Sequence, residues 1–195
     1  QFVNGRVVTP DAVKEAYRVV MEAGFGPQFA DRKAEGHLPR CMSAPLTEMI
    51  SAASAALFTY WSATDGAIGV IQEMATEDVQ NIFLPKMCTG QWGGTMNLTE
   101  PGAGSDVGSS VTKAYPTDRW GIYKIKGTKM FITSADHDIA ENFVHLVLAR
   151  IDGCREGTAG LSLFIVPKYW VSRDGTMGEF NDVNVVGIEH KMGLK

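Results

Sequence analysis

Two hydrophobic periods divide this chain near residue 90. Before it, apolar side chains recur every three to four positions; after it, they alternate. Pro10 and Asp11 open an amphipathic run carrying Val13, Ala16, Tyr17, Val20 and Met21, which Gly24 closes. Residues 25–40 are rich in Gly, Pro and charge and read as an irregular loop. Ser43 is placed to cap a second helix running to about Thr59, with Leu46, Met49, Ile50, Ala53 and Leu57 at helical spacing. A third helix is predicted over 66–74 and a fourth over 77–87. Glu77 and Asp78 suit the positive end of that last helix, and Pro85 is expected to kink or end it.

Strands are predicted near 93–98, 111–115, 123–126, 129–133, 143–150, 161–167 and 181–188, with residues 118–121 as a hairpin connection. Helices followed by strands indicate an α+β fold. The expected layout is an N-terminal helical segment over 1–90, then an antiparallel β-sandwich or barrel domain over 91–195.

Composition narrows the function without naming it. With 45% apolar and 21% charged residues the chain has the make-up of an ordinary globular protein, and a net charge of −4 gives no footprint for nucleic acid. No apolar run is long enough to span a bilayer. Cys41, Cys88 and Cys154 have neither disulfide-frame nor zinc-site spacing, and the four histidines are scattered. The run Asp136-His137-Asp138 could suggest a metal cluster, but a loop with local hydrogen bonds is the better reading. Glu100 and Asp106 are not read as an acid/base pair. Both stand beside a turn, where charged side chains are usually solvated.

Two segments stand out. Residues 96–106 read Met-Asn-Leu-Thr-Glu-Pro-Gly-Ala-Gly-Ser-Asp, an apolar strand end followed by a turn that Pro101 and Gly102 force. Glycines at 102 and 104 let backbone approach a ligand, while Thr99 and Ser105 add short hydroxyls. Residues 129–134 read Lys-Met-Phe-Ile-Thr-Ser; strand alternation there would put Phe131 and Thr133 on one face.

At these segments the sequence resembles the acyl-CoA dehydrogenase family. "LTEPGAGSD" matches its Thr-Glu-Pro-x-Ala-Gly-Ser-Asp signature and "GTKMFITS" its Gly-x-Lys-x-(Trp/Phe)-Ile-(Thr/Ser) signature. "GLSLFIVPK" and "IEHKMGL" are similar to the subgroup that includes 3-(methylthio)propanoyl-CoA dehydrogenase. The resemblance implies FAD as cofactor, bound through Met96, Leu98, Thr99, Phe131, Ile132 and Thr133. Ser105 would reach the pantetheine of an acyl-CoA. It also implies α,β-desaturation to a trans-2-enoyl-CoA in fatty acid β-oxidation, with electron-transfer flavoprotein as acceptor, a homo-oligomer, and a cytoplasmic setting without a membrane span or nucleic acid.

The family's C-terminal helical bundle, which supplies the glutamate base, has no counterpart in these residues. The chain is therefore read as a fragment, with no catalytic residue assigned in it and no activity expected of it alone. Two alternatives stay open. One is a flavin-dependent oxidase or damage-response relative on the same scaffold; the other is a non-catalytic β-domain binding module.

Overall fold

The computed structural model describes residues 1–26 and 39–191. A short hairpin, β1 (Phe2–Val3) with β2 (Arg6–Val7), precedes four helices: α1 (Asp11–Glu22), α2 (Arg40–Ala53), α3 (Ala55–Met74) and α4 (Glu77–Cys88). The strands that follow are β3 (Trp92–Asn97), β4 (Lys113–Pro116), β5 (Tyr123–Lys126), β6 (Asn142–Ile151), β7 (Leu161–Pro167), β8 (Tyr169–Val171) and β9 (Met177–Phe180). The α+β layout is as the sequence indicates. Most of the loop expected over 25–40 lies outside the described residues.

Helix boundaries differ from expectation at one place. The second helix ends at Ala53 rather than near Thr59, because Ser54 turns extended and its Oγ accepts from the Leu57 N–H to cap α3. Ser43 is therefore an interior residue of α2, and the helix expected at 66–74 is the C-terminal part of the 20-residue α3. Along α3, Trp61, Thr64, Ala67, Ile68 and Ile71 are buried, the spacing of one helical face. Pro85 stays inside α4, which continues to Cys88.

The main sheet has the order β3-β6-β4-β5, with β7 also on β6. β4 and β5 pair antiparallel, Lys113 opposite Lys126, joined by the turn at 118–121 where Gly121 has φ +78°. β4 runs parallel to β6, with Lys113 opposite Arg150, so the sheet is mixed rather than all-antiparallel. Two expected strands are absent. Residues 129–133 form no strand, because Phe131 adopts φ +57°, outside the extended region. Residues 181–188 form none either. Asp182 sits at φ +53° at the start of that stretch, and Val186 is 86% exposed. The hairpin β8–β9 forms just before it and was not foreseen.

The chain forms two compact units, neither of them one continuous stretch. The first comprises residues 1–95, 133–144 and 167–195, and the second residues 96–132 and 145–166. In the first, Trp92, Ile68, Ile71, Met87 and Phe143 are fully buried. Gly93 and Gly94 let β3 pack closely there. A Cβ on Gly93 would stand 2.6 Å from the Phe143 ring, and one on Gly94 2.8 Å from both Ala67 and Met87. Gly94 N–H also donates to Thr64 Oγ1 at 2.9 Å. In the second unit Ala103, Ala114, Leu146 and Ala149 are buried. No helix among the described residues is long and apolar enough to cross a membrane.

Candidate functional site

The site is built on the turn after β3. Glu100 and Ala103 exchange both backbone hydrogen bonds, N–H to O at 3.0 and 3.1 Å, around Pro101 and Gly102. This is the turn that the Pro-Gly pair predicts. Ala103 is buried beneath it, while Gly102, Gly104 and Ser105 are exposed. A Cβ on Gly102 would meet nothing within 4 Å, and one on Gly104 only Thr99 Cγ2 at 3.9 Å. Neither glycine has positive φ. The fold itself thus gives no reason for glycine at 102 or 104, and the space above both is open to a bound group.

Thr99 is half-buried. Its carbonyl accepts from Met130 N–H at 2.9 Å, but neither its own N–H nor its hydroxyl hydrogen-bonds to a described residue. Two donors of one residue are therefore without a partner among the described residues. Met96 and Leu98 are half-buried on the same segment.

Glu100 departs from the solvated turn residue that the sequence suggests: it is 3% exposed. Its carboxylate accepts from Val111 N–H at 2.7 Å, Thr112 N–H at 3.1 Å and Lys129 Nζ at 2.7 Å. Lys129 Nζ also donates to Leu98 O at 2.9 Å. Burial pushes the Glu100 carboxyl up, but the Lys129 ammonium and the two amides outweigh it and hold the group at about 2. This ion pair is the feature sequence reasoning missed. Its signal was a carboxylate between Thr99 and Pro101 in the first motif and the single ammonium of the second.

Phe131 follows two residues after Lys129, 49% exposed and in the left-handed region, which is uncommon for an aromatic residue and marks a locally constrained backbone. The expected same-face alternation of Phe131 and Thr133 does not hold, since no strand carries them. Ile132 is half-buried in the second unit. Thr133 is exposed and belongs to the first.

Asp136, His137 and Asp138 do not converge. Asp136 pairs with Lys168 at 2.7 Å, whereas Asp138 pairs with Lys14 at 2.6 Å and accepts from Thr9 N–H. His137 is buried between the Tyr60 and Phe143 rings, at centroid distances of 5.0 and 4.8 Å. Its Nδ1 accepts from Ile139 N–H, and burial pulls the imidazole down to about 4. Among the described residues no cluster of His, Cys, Asp or Glu is arranged to hold a metal ion. The Asp65 carboxyl on α3 is raised by burial to about 7.

The sequence pattern of acyl-CoA dehydrogenase middle domains matches residues 95–195. The chain belongs to the acyl-CoA dehydrogenase family. It is 55% identical over its whole length to a butyryl-CoA dehydrogenase of Syntrophomonas wolfei, of which it covers 32%. It is 41% identical over 98% of its length to a 3-methylmercaptopropionyl-CoA dehydrogenase of Ruegeria pomeroyi, of which it covers 33%. The subgroup suggested by its motifs is thus among its relatives. A glutaryl-CoA dehydrogenase of Mycobacterium smegmatis, solved in complex with FADH2, shares the fold. There the TM-score is 0.63 at 21% identity, covering 83% of this chain and 38% of that one. The chain spans about a third of the length of the curated relatives it matches.

Proposed function

We propose that the protein carrying this chain is an FAD-dependent acyl-CoA dehydrogenase, and that this chain supplies the flavin-facing turn and the thioester-side hydroxyl. One observation carries the reading: Thr99 offers an N–H and a hydroxyl with no partner among the described residues, beside glycines that the fold does not require. Donors set in advance around an acceptor-rich ring edge stabilise charge that appears there during reaction. When bound, the flavin supplies the hydride acceptor for α,β-desaturation.

This chain's own residues would bind and orient. Met96, Leu98 and Ile132 would line the ring apolarly, the half-exposed Phe131 ring would pack on its face, and Thr133 would add a hydroxyl. Ser105, exposed past the turn, would meet the pantetheine. Together these groups exclude water from the reacting carbons. Glu100 is not offered as the base, since its three hydrogen-bond donors keep it an ionised structural group.

The family membership supports a helical part over 1–90 and a middle β domain over 91–195 as the organisation inherited from relatives. It also supports an electron-transfer flavoprotein as acceptor, a homo-oligomer and a cytoplasmic setting. The 55%-identical relative is named for butyryl-CoA, so a short straight-chain acyl-CoA is the first substrate to test. The complete gene product should be purified with FAD and given butyryl-CoA and an artificial electron acceptor. A trans-2-enoyl-CoA product dependent on the acceptor supports the reading. Peroxide formed with oxygen alone would favour the oxidase alternative, and no turnover of any saturated acyl-CoA would refute both.

A further inference from the structure

The carbonyls of Leu98 and Thr99 are both taken, and both by the same short segment. Lys129 Nζ donates to Leu98 O at 2.9 Å and Met130 N–H donates to Thr99 O at 2.9 Å. The peptide linking Leu98 and Thr99 is trans and planar, so its N–H points opposite to its C=O. Fixing Leu98 O on the ammonium therefore aims the Thr99 N–H away from Lys129. The ammonium is itself held by Glu100 at 2.7 Å, and Glu100 is held by the amides of Val111 and Thr112. The two charged side chains are 8% and 2% exposed, so the ion pair is shielded from water.

A buried ion pair is poor value as a pure stabiliser. Apolar side chains of similar volume often do as well or better, because both charges must leave water. What such a pair adds is direction. Lys129 donates simultaneously to a carboxylate and to one particular carbonyl, which an apolar side chain could not do. Its next-but-one neighbour is Phe131, at φ +57°, and Met130 is pinned in between.

We propose that Glu100 and Lys129 are positioning residues for the cofactor site: their ion pair sets the Leu98–Thr99 peptide plane, and so the aim of the Thr99 N–H, and pins the backbone leading to Phe131. The proposal rests on the flavin reading above. It concerns two residues that would not themselves touch the cofactor.

The test uses the complete gene product and three variants: Lys129→Arg, Lys129→Met, and the double variant Glu100→Gln/Lys129→Met. The double variant removes both charges together and keeps one neutral carbonyl acceptor, enough for one of the two backbone amides, so it should lose less stability than Lys129→Met alone, which strands a buried carboxylate. Two quantities are read: FAD affinity, and hydrogen exchange of the bonded Glu100 and Met130 amides in the apoprotein. The double variant should melt cooperatively yet bind FAD about tenfold or more weakly. Its Met130 amide, which donates to Thr99 O in the wild type, should exchange faster. Lys129→Arg, which keeps a cation able to donate to both oxygens, should recover most of the affinity. A folded double variant with wild-type FAD affinity and wild-type exchange would overturn the proposal and leave the pair as plain structure. Wild-type protein that takes up no FAD would overturn the flavin reading first, and the proposal with it.

Discussion

Lys129 Nζ lies 2.7 Å from Glu100 Oε1, with the two side chains 8% and 2% exposed. One ion pair thus joins two motifs 29 residues apart and takes both charges out of water. Removing one partner leaves the other charge buried and alone. Lys129→Met should therefore cost on the order of 3–5 kcal/mol in urea unfolding, much more than a surface lysine would. A loss under about 1 kcal/mol would mean that the carboxylate reaches water when its partner is gone.

His137 makes stability depend on mild acid. Its folded pKa, near 4, lies below the ordinary value of 6.5, so below that value the unfolded chain binds the proton more readily. The stability it confers is fully present above pH 6.5 and is lost as the pH falls from 6.5 towards 4. His137→Phe keeps a ring between Tyr60 and Phe143 and should flatten that part of the stability profile. An unchanged slope would show that other groups carry it.

Two glycines of the motifs should behave oppositely. A Cβ on Gly127 would come within 2.1 Å of Thr112 Oγ1 and 2.6 Å of its Cβ, so Gly127→Ala should destabilise by about 1–3 kcal/mol. Gly102→Ala places its methyl in open space and should leave the melting temperature within about a degree or two, a surface effect below ~0.5 kcal/mol. In the complete gene product Gly102→Ala should nevertheless weaken FAD or acyl-CoA binding. A fold-neutral, binding-neutral Gly102→Ala would remove the argument from open space.

Thr99→Val deletes one of the two presented donors at nearly constant volume. The flavin reduction potential should fall and the reductive half-reaction should slow, because the hydroxyl stabilises charge that appears on reduction. The loss should stay below the roughly 2.7–4 kcal/mol seen for strong preorganised donors, since a neutral hydroxyl is weaker. Folding should barely change, as the hydroxyl has no partner among the described residues. A large drop in melting temperature with unchanged potential would make Thr99 a structural residue.

Much of the fold was legible because local signals and tertiary packing agree. The apolar spacing of α1 and the acidic first turn of α4 place those helices. Pro101 and Gly102 mark the turn that carries the site. Ser54 was not legible as a break: it lies in an Ala- and Ser-rich run whose helical spacing continues on both sides, and only its capping bond to Leu57 distinguishes it. The stretch around Phe131 alternates like a strand, yet its backbone is fixed by Lys129 and Met130 bonding to the carbonyls of Leu98 and Thr99. That geometry depends on residues about thirty positions away, which periodicity cannot register. Glu100 was misread for the same reason. A carboxylate beside a turn is solvated by default, and its burial here depends on an ammonium supplied by the second motif.

The central claim is that this chain forms the flavin-facing part of an acyl-CoA dehydrogenase, and an anaerobic titration tests it most directly. The complete gene product, purified and reconstituted with FAD, is titrated with butyryl-CoA while its visible flavin absorbance is followed. The account predicts stoichiometric flavin binding, bleaching of the oxidised band, and enoyl-CoA formed in proportion to the flavin reduced. Protein that binds no flavin, or that binds it and is bleached by no saturated acyl-CoA, would contradict the claim.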